Sequence, residues 1–187
     1  MRKKLRLAGV GEVLLEHSAR AKYISLSVRP FKGTRVAVPY GVPFEKALAF
    51  AQTKTDWIRS RLGKVALIEQ EARAMRKRCP IDWHEARTFL VRRLAELAAR
   101  HGYSYNRVFV RNQKTRWGSC SSANNINLNI NLVRLPPELM DYTILHELVH
   151  TRVKNHSPRF WAMLARHVPD AKAIDQQLNR YSSLLAG

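Results

Sequence analysis

Ile24, Leu26 and Val28 alternate with Ser25, Ser27 and Arg29, and after Pro30-Phe31-Lys32-Gly33 the apolar pattern resumes at Val36-Ala37-Val38. A period of two on either side of a turn reads as a β-hairpin, with Val13-Leu14-Leu15 as a candidate third strand. At Pro43 the period changes: Phe44, Ala47, Leu48, Ala51, Ile58 and Leu62 recur at helical spacing. Gly63 is a candidate break, and Val65 to Met75 can continue the helix. Arg76-Lys77-Arg78-Cys79-Pro80 then reads as a basic connector. It divides an N-terminal strand-and-helix part, 1–78, from a second part, 79–187, within what should be one folded unit.

In the second part, Phe89, Leu90, Leu94, Leu97 and Ala98 form a helical stripe that ends at Gly102. Val108-Phe109-Val110 reads as a short strand. It leads through the basic stretch Arg111 to Arg116 into a loop, Trp117 to Ser122, with special backbone geometry expected at Gly118. Ile126, Leu128, Ile130 and Leu132 alternate without a slip with Asn127, Asn129 and Asn131, the cleanest strand pattern in the chain. Asn is a poor strand former, so its three copies either face water or line a cleft where a strand edge binds an extended substrate. Pro136-Pro137-Glu138 opens a further helix whose apolar back is Leu139, Tyr142, Leu145, Leu148 and Val149. Ser157-Pro158 starts a short helix with Phe160, Met163, Leu164 and Val168 inward, and Pro169-Asp170 starts a last one with Ile174, Leu178, Tyr181 and Leu185 on one side.

Composition changes the picture in one respect. The 187 residues are 45% hydrophobic, enough for one sizeable core, but 33 Lys and Arg against 14 Asp and Glu give a net charge of +19 and a pI near 10.8. Such a balance implies attraction to polyanions, most often nucleic acid, through a basic surface. The two cysteines, Cys79 and Cys120, are too far apart in sequence for a C-x-x-C knuckle, and a cytoplasmic protein is expected. Glu12 and Glu16 interrupt what would have to be the apolar core of a signal peptide, and no apolar run approaches the length of a membrane span.

The chemistry concentrates at His146-Glu147-Leu148-Val149-His150. On a helix, residues four apart stand one turn above each other on one face, so two imidazoles can grip one ion while Glu147 reaches a water beside it. His156 follows six residues later. On an unbroken helix it would lie about 9 Å further along the axis, so the chain must leave the helix for His156 to join the pair. Lys154-Asn155 offers the turn, because Asn tolerates the left-handed conformation that often ends helices. Three neutral histidines and one open position describe a catalytic zinc site better than a closed structural one. Trp161 packs either beside that metal or on the core, and the core is expected. His167 has no spacing that would make it a ligand.

Arg116-Trp117-Gly118-Ser119-Cys120, the Asn/Ile/Leu strand, Pro136, Asp141-Tyr142, and His146 to His150 continuing through Asn155-His156-Ser157 to Phe160-Trp161 together resemble the YgjP-like metallopeptidase family, a bacterial group related to the SprT-like and WLM zinc peptidases. Tyr23 to Arg29 and Asp56-Trp57-Ile58 extend the resemblance over nearly the whole chain. It implies an α+β, minimal zincin-like domain with His146, His150 and His156 as zinc ligands and Glu147 as general base, acting on a peptide or protein. Val153 stands where metzincins have Gly, and no Met-turn follows, which argues against that relative. Two other readings stay open: a metal-dependent nucleotide phosphohydrolase, motivated by the charge, and a nucleic-acid-binding module with a structural zinc. For the peptidase, Tyr142, Arg152 and Asn155 are near enough in sequence to be considered as oxyanion partners. The strand from Ile126 to Leu132 offers an edge for an extended substrate.

Overall fold

A computed structural model describes residues 1–186. The chain divides into two compact units, Met1–Glu71 and Ala72–Gly187.

The first unit is built on a four-stranded sheet: β1 (Arg2–Leu7), β2 (Gly11–His17), β3 (Ser25–Arg29) and β4 (Gly33–Val38), in the order β1-β2-β4-β3. The hairpin expected from the alternation is the antiparallel pair β3 and β4, with Leu26 opposite Val36. β2 pairs with β4 in parallel and carries Val13-Leu14-Leu15. β1 was not anticipated. Its sequence RKKLRL has only two apolar residues, as suits an edge strand that is largely exposed. Because side chains alternate, Val13 and Leu15 share a face with Val36 and Val38, and all four are fully buried. They pack on Phe44, Ala47 and Ala51 of α1 (Phe44–Gln52) and on Ile58 of α2 (Thr55–Arg78). Each large side chain so buried contributes about 1.5–3 kcal/mol. Elsewhere on the sheet Glu16 lies between two guanidinium groups, Arg35 and Arg2, each 2.5 Å away, which hold its carboxyl below the usual carboxylate range.

The helical break expected at Gly63 falls instead at Thr53-Lys54, where the Thr53 hydroxyl donates to the Phe50 carbonyl and that of Thr55 to Gln52. Gly63 lies inside α2. A helical glycine costs only about 1 kcal/mol, which the burial of Ile58 and Val65 on either side outweighs. Arg76-Lys77-Arg78 is the last turn of α2 rather than a connector, and its charge complements the helix C-terminus.

The second unit contains α3 (Trp83–His101), the strands β5 (Val108–Arg111), β6 (Gly118–Cys120) and β7 (Ile126–Asn129), a 3-10 turn at Ile130–Arg134, and then α4 (Pro137–Val149), α5 (Pro158–Ala165), α6 (Ala171–Arg180) and α7 (Ser183–Ala186). Asp82 caps α3 by accepting from the Glu85 amide at 2.9 Å, and Gly102 ends it in the left-handed conformation at φ 68°. Leu90, Leu94, Leu97 and Ala98 are buried as expected, whereas Phe89 is 39% exposed and lies off the stripe. The sheet order is β5-β7-β6, with β7 parallel to β5 and antiparallel to β6. α4 is the hub of the unit, packed against α3, α5, α6, β6 and β7.

Two expectations about the Asn-rich strand are corrected here. It is not a strand from Ile126 to Leu132: extended pairing stops at Asn129, and the chain curls into the 3-10 turn. The amides of Asn129 and Asn131 neither face water nor line a cleft, while Asn127 is half-buried and its Nδ2 donates to Ser119 Oγ at 3.3 Å. Asn129 is wholly buried; its Nδ2 donates to the carbonyls of Gln113 (2.7 Å) and Arg116 (3.0 Å), and its Oδ1 accepts from the Asn131 backbone and side chain (3.0 Å each). These residues are in the strand because buried loop carbonyls and the start of a turn need hydrogen-bond partners that an apolar side chain cannot supply. Asn129→Ala is accordingly expected to destabilise the protein by about 3 kcal/mol, since several buried groups lose partners at once. The urea midpoint of the variant against wild type measures this, and an unchanged midpoint would contradict it. As the central strand, β7 also has no free edge; the edges of this sheet are β5 and β6.

Candidate metal centre

α4 begins as the sequence suggests, with Pro136 as its cap, Pro137 in the first turn and Glu138 near the positive end of the helix dipole. Leu139, Tyr142, Leu145, Leu148 and Val149 are all buried as expected, but so are Met140, Thr143 and Ile144, so α4 is enclosed on nearly every side. The spacing of four residues is what sets His146 and His150 one turn apart on one side. The helix ends at His150. Asn155 does not adopt the left-handed conformation expected of it, since Phe31 and Asn124 are the non-glycine residues with positive φ among those described. The exit is made by backbone and hydroxyl bonds instead. Thr151 Oγ1 donates to the Leu148 carbonyl (2.7 Å), Val153 N to Val149 (3.0 Å), and the Asn155 side chain accepts from Ser157 N (3.3 Å). Val153 is buried and anchors the turn. Lys154 ties it to the β6–β7 connection by donating to the Ser121 carbonyl (2.7 Å) and to the Asn124 side chain.

This turn brings His156 to the other two histidines. The three Nε2 atoms form a nearly equilateral triangle: 3.2 Å from His150 to His146, 3.2 Å from His150 to His156 and 3.0 Å from His156 to His146. Three ring nitrogens at these distances cannot all satisfy one another by hydrogen bonds. Tetrahedral ligands at zinc–nitrogen lengths of about 2.0–2.1 Å would stand about 3.3 Å apart, so the triangle fits a small divalent ion that prefers nitrogen. Protonation fits as well. His150 Nδ1 is 2.8 Å from the Val153 carbonyl, to which it donates, leaving the Nε2 lone pair facing the cluster. Burial, with His150 and His156 nearby, pushes His146 down to about 3 and keeps it neutral; burial also lowers His150. His156 is exposed, so the cluster opens to solvent on that side. Among the described residues this is the group of histidine, cysteine and acidic side chains able to hold an ion.

Beneath the triangle lies a residue whose role the sequence did not disclose. The Phe160 ring, fully buried, has its centroid 4.8, 4.5 and 4.8 Å from those of His146, His150 and His156. Trp161 is beside the cluster rather than in the core, half-buried and 6.1 Å from the His156 ring. His167 is elsewhere, with Nε2 2.8 Å from the Tyr103 hydroxyl.

Glu147 is 5% exposed, and its Oε2 has no hydrogen-bond partner. Burial pushes its carboxyl up to about 8, with the Arg116 charge opposing. An unpartnered buried carboxylate oxygen costs folding energy and calls for a functional account. It lies against Gly118, whose glycine is explained by this close approach and not by an unusual φ. The three residues considered as oxyanion partners are engaged elsewhere. Tyr142 donates to Asp175 (3.1 Å), Arg152 donates to the Gly102 carbonyl and covers the Tyr103 ring, and Asn155 holds the Ser157 amide. Cys79 and Cys120 are free thiols, and no helix among the described residues is long and apolar enough to cross a membrane.

Comparison with known proteins identifies the family. Two solved structures resemble the chain: that of the metallopeptidase zymogen of Pyrococcus abyssi abylysin, 26% identical, covering 48% of this chain and 90% of that one with a TM-score of 0.43, and that of the metallopeptidase zymogen of Methanocaldococcus jannaschii jannalysin, 22% identical, covering 49% and 94% with a TM-score of 0.43. No curated protein matches. The family model of the YgjP-like metallopeptidase domain matches residues 81–181, a span that holds the triangle, Glu147 and Gly118. The chain belongs to the YgjP-like metallopeptidase family, and is a hydrolase of the metalloprotease type.

Proposed function

We propose that this protein is a zinc peptidase in which His146, His150 and His156 hold the ion through Nε2 and Glu147 is the general base. The observation that carries the reading is the triangle of ring nitrogens with edges of 3.0–3.2 Å. When bound, zinc supplies Lewis acidity toward a peptide carbonyl and toward water. Glu147 takes the proton of the attacking water and passes it to the departing amine. Burial raises the carboxyl in the metal-free site, and a divalent ion bound beside it would favour the ionised form that accepts the proton. The substrate backbone pairs with the free edge of β6, the strand that touches Glu147, rather than with the Ile126–Leu132 segment suggested by the sequence.

The donor set speaks against the phosphohydrolase reading. Magnesium seeks oxygen ligands, and among the described residues no carboxylate joins the three nitrogens. A structural zinc would ordinarily have a fourth protein ligand and no need of a buried acid beside it. The test is removal and return of the metal. Treatment with a chelator should abolish cleavage of an unfolded protein pool, and one equivalent of zinc should restore it. Metal-free protein that cleaves at the original rate would refute the proposal. Basic residues outnumber acidic ones in both units, so running the assay with and without single-stranded DNA shows whether that charge recruits a polyanion.

A further inference from the structure

We infer that Gly118 is a positioning residue for the Glu147 carboxyl: the missing side chain at this point of β6 determines where the base stands. The inference rests on the reading of Glu147 as the base. A Cβ at position 118 would lie 2.7 Å from both Cγ and Oε1 of Glu147 and 2.9 Å from its Cδ. Ordinary contact begins at 3.4 Å, so an alanine at 118 requires the carboxyl to move by about 0.7 Å.

The backbone gives no other reason for glycine here. Gly9, Gly11, Gly33, Gly41 and Gly102 have positive φ; Gly118 does not, and its strand conformation is open to any residue. Nor can the strand easily retreat. Gly118 pairs with Leu128 in the sheet, the Asn129 amide donates to the Trp117 carbonyl at 2.8 Å, and the buried Asn129 side chain holds the Arg116 carbonyl at 3.0 Å. The run of asparagines thus acquires a purpose: Asn129 fixes the segment that leads into Gly118, and Gly118 fixes the carboxyl. On the other side, Glu147 is 5% exposed and carried by the most heavily packed helix of its unit. The strain of a methyl group therefore falls on the orientation of Glu147. A misplacement of this size at a reacting group costs about 10²-fold in rate.

The experiment is a double-mutant cycle of Gly118→Ala with Glu147→Ala on the full chain. It reads zinc content, kcat and KM on a fluorogenic peptide, and urea midpoints. Gly118→Ala is expected to retain zinc and a KM close to wild type while kcat falls by about 10²-fold. In the Glu147→Ala background the same change should alter neither the residual rate nor the midpoint, because the contacted side chain is gone. Wild-type kcat in Gly118→Ala, loss of zinc, or an equal penalty without Glu147 would each overturn the inference. Should Gly118→Ala fail to fold, folding of the double variant supports it and failure of both overturns it. Wild-type turnover by Glu147→Gln would instead refute the reading of Glu147, an outcome separable from the steric coupling seen in the midpoints.

Discussion

Replacing His150 by alanine is expected to abolish metal binding and peptidase activity together. His150 is the apex common to both 3.2 Å edges of the nitrogen triangle, and its Nδ1 bond to the Val153 carbonyl leaves Nε2 facing the other two rings. Loss of a partner that merely orients a ligand typically weakens a metal site by about 10–100-fold. Removal of the ligand itself, leaving two donors of three, should exceed that and release the ion during dialysis against a zinc buffer. kcat/KM should then fall by more than about 10³-fold, as for removal of a Lewis acid that supplies several kcal/mol. Elemental analysis after dialysis and a fluorogenic peptide assay read the two losses. A variant that keeps one zinc per chain and cleaves normally would show that His150 is not a ligand. The ring also stacks on Phe160 at 4.5 Å, so a lowered melting temperature should accompany the chemical losses.

Glu147→Gln is expected to separate activity from metal binding. The amide matches the carboxylate in shape and leaves the histidine triangle intact, so zinc should be retained, while turnover falls by about 10²–10⁴-fold for want of a proton acceptor. The sign of the stability change distinguishes this from simple damage. Glu147 is buried with an unpartnered oxygen, and its carboxyl is raised because burial penalises the charge. A neutral side chain of the same volume removes that penalty, so the metal-free variant should unfold at an equal or higher urea concentration than metal-free wild type. Wild-type turnover would exclude Glu147 as the base. A large loss of stability would show that the carboxyl serves the fold.

The clustering of His146, His150 and His156 was legible because the helical period leaves little freedom. A helix sets residues four apart one turn above each other, which places His146 and His150 on one side, although α4 is buried nearly all round and its apolar pattern alone does not fix its rotation. The need to leave the helix before His156 follows from the rise per residue. The means of leaving was not legible. Asn155 was the plausible turn residue, but the turn is made by Thr151, Val153 and their backbone bonds. Local propensity says where a turn is easy, and packing of Val153 decides which turn is used. Phe160 could be read as an inward helical residue, but nothing in a periodicity says that its ring lies under three imidazoles. Special backbone geometry was expected at Gly118, whereas it stands in a strand without a positive φ and the glycine answers the close approach of Glu147, a partner set by how α4 packs on β6. The strand ending at Asn129 was overestimated because Ile130 and Leu132 continue the alternation. Both are buried from the 3-10 turn, so burial preserved the pattern after the pairing had stopped. In the first unit, β1 has too little apolar character to announce itself, and the partner strand β2 supplies what its own sequence lacks.

All three nitrogen donors and the ring beneath them lie in one uninterrupted stretch, from His146 to Phe160. The loop an ion would close there is short, so little chain entropy stands in the way of assembly. The ion would act as a local clasp between the end of α4 and the start of α5. Its capture would rest on one helix–turn–helix rather than on distant parts of the chain meeting, and amide exchange in that stretch should slow on metal addition before protection spreads further.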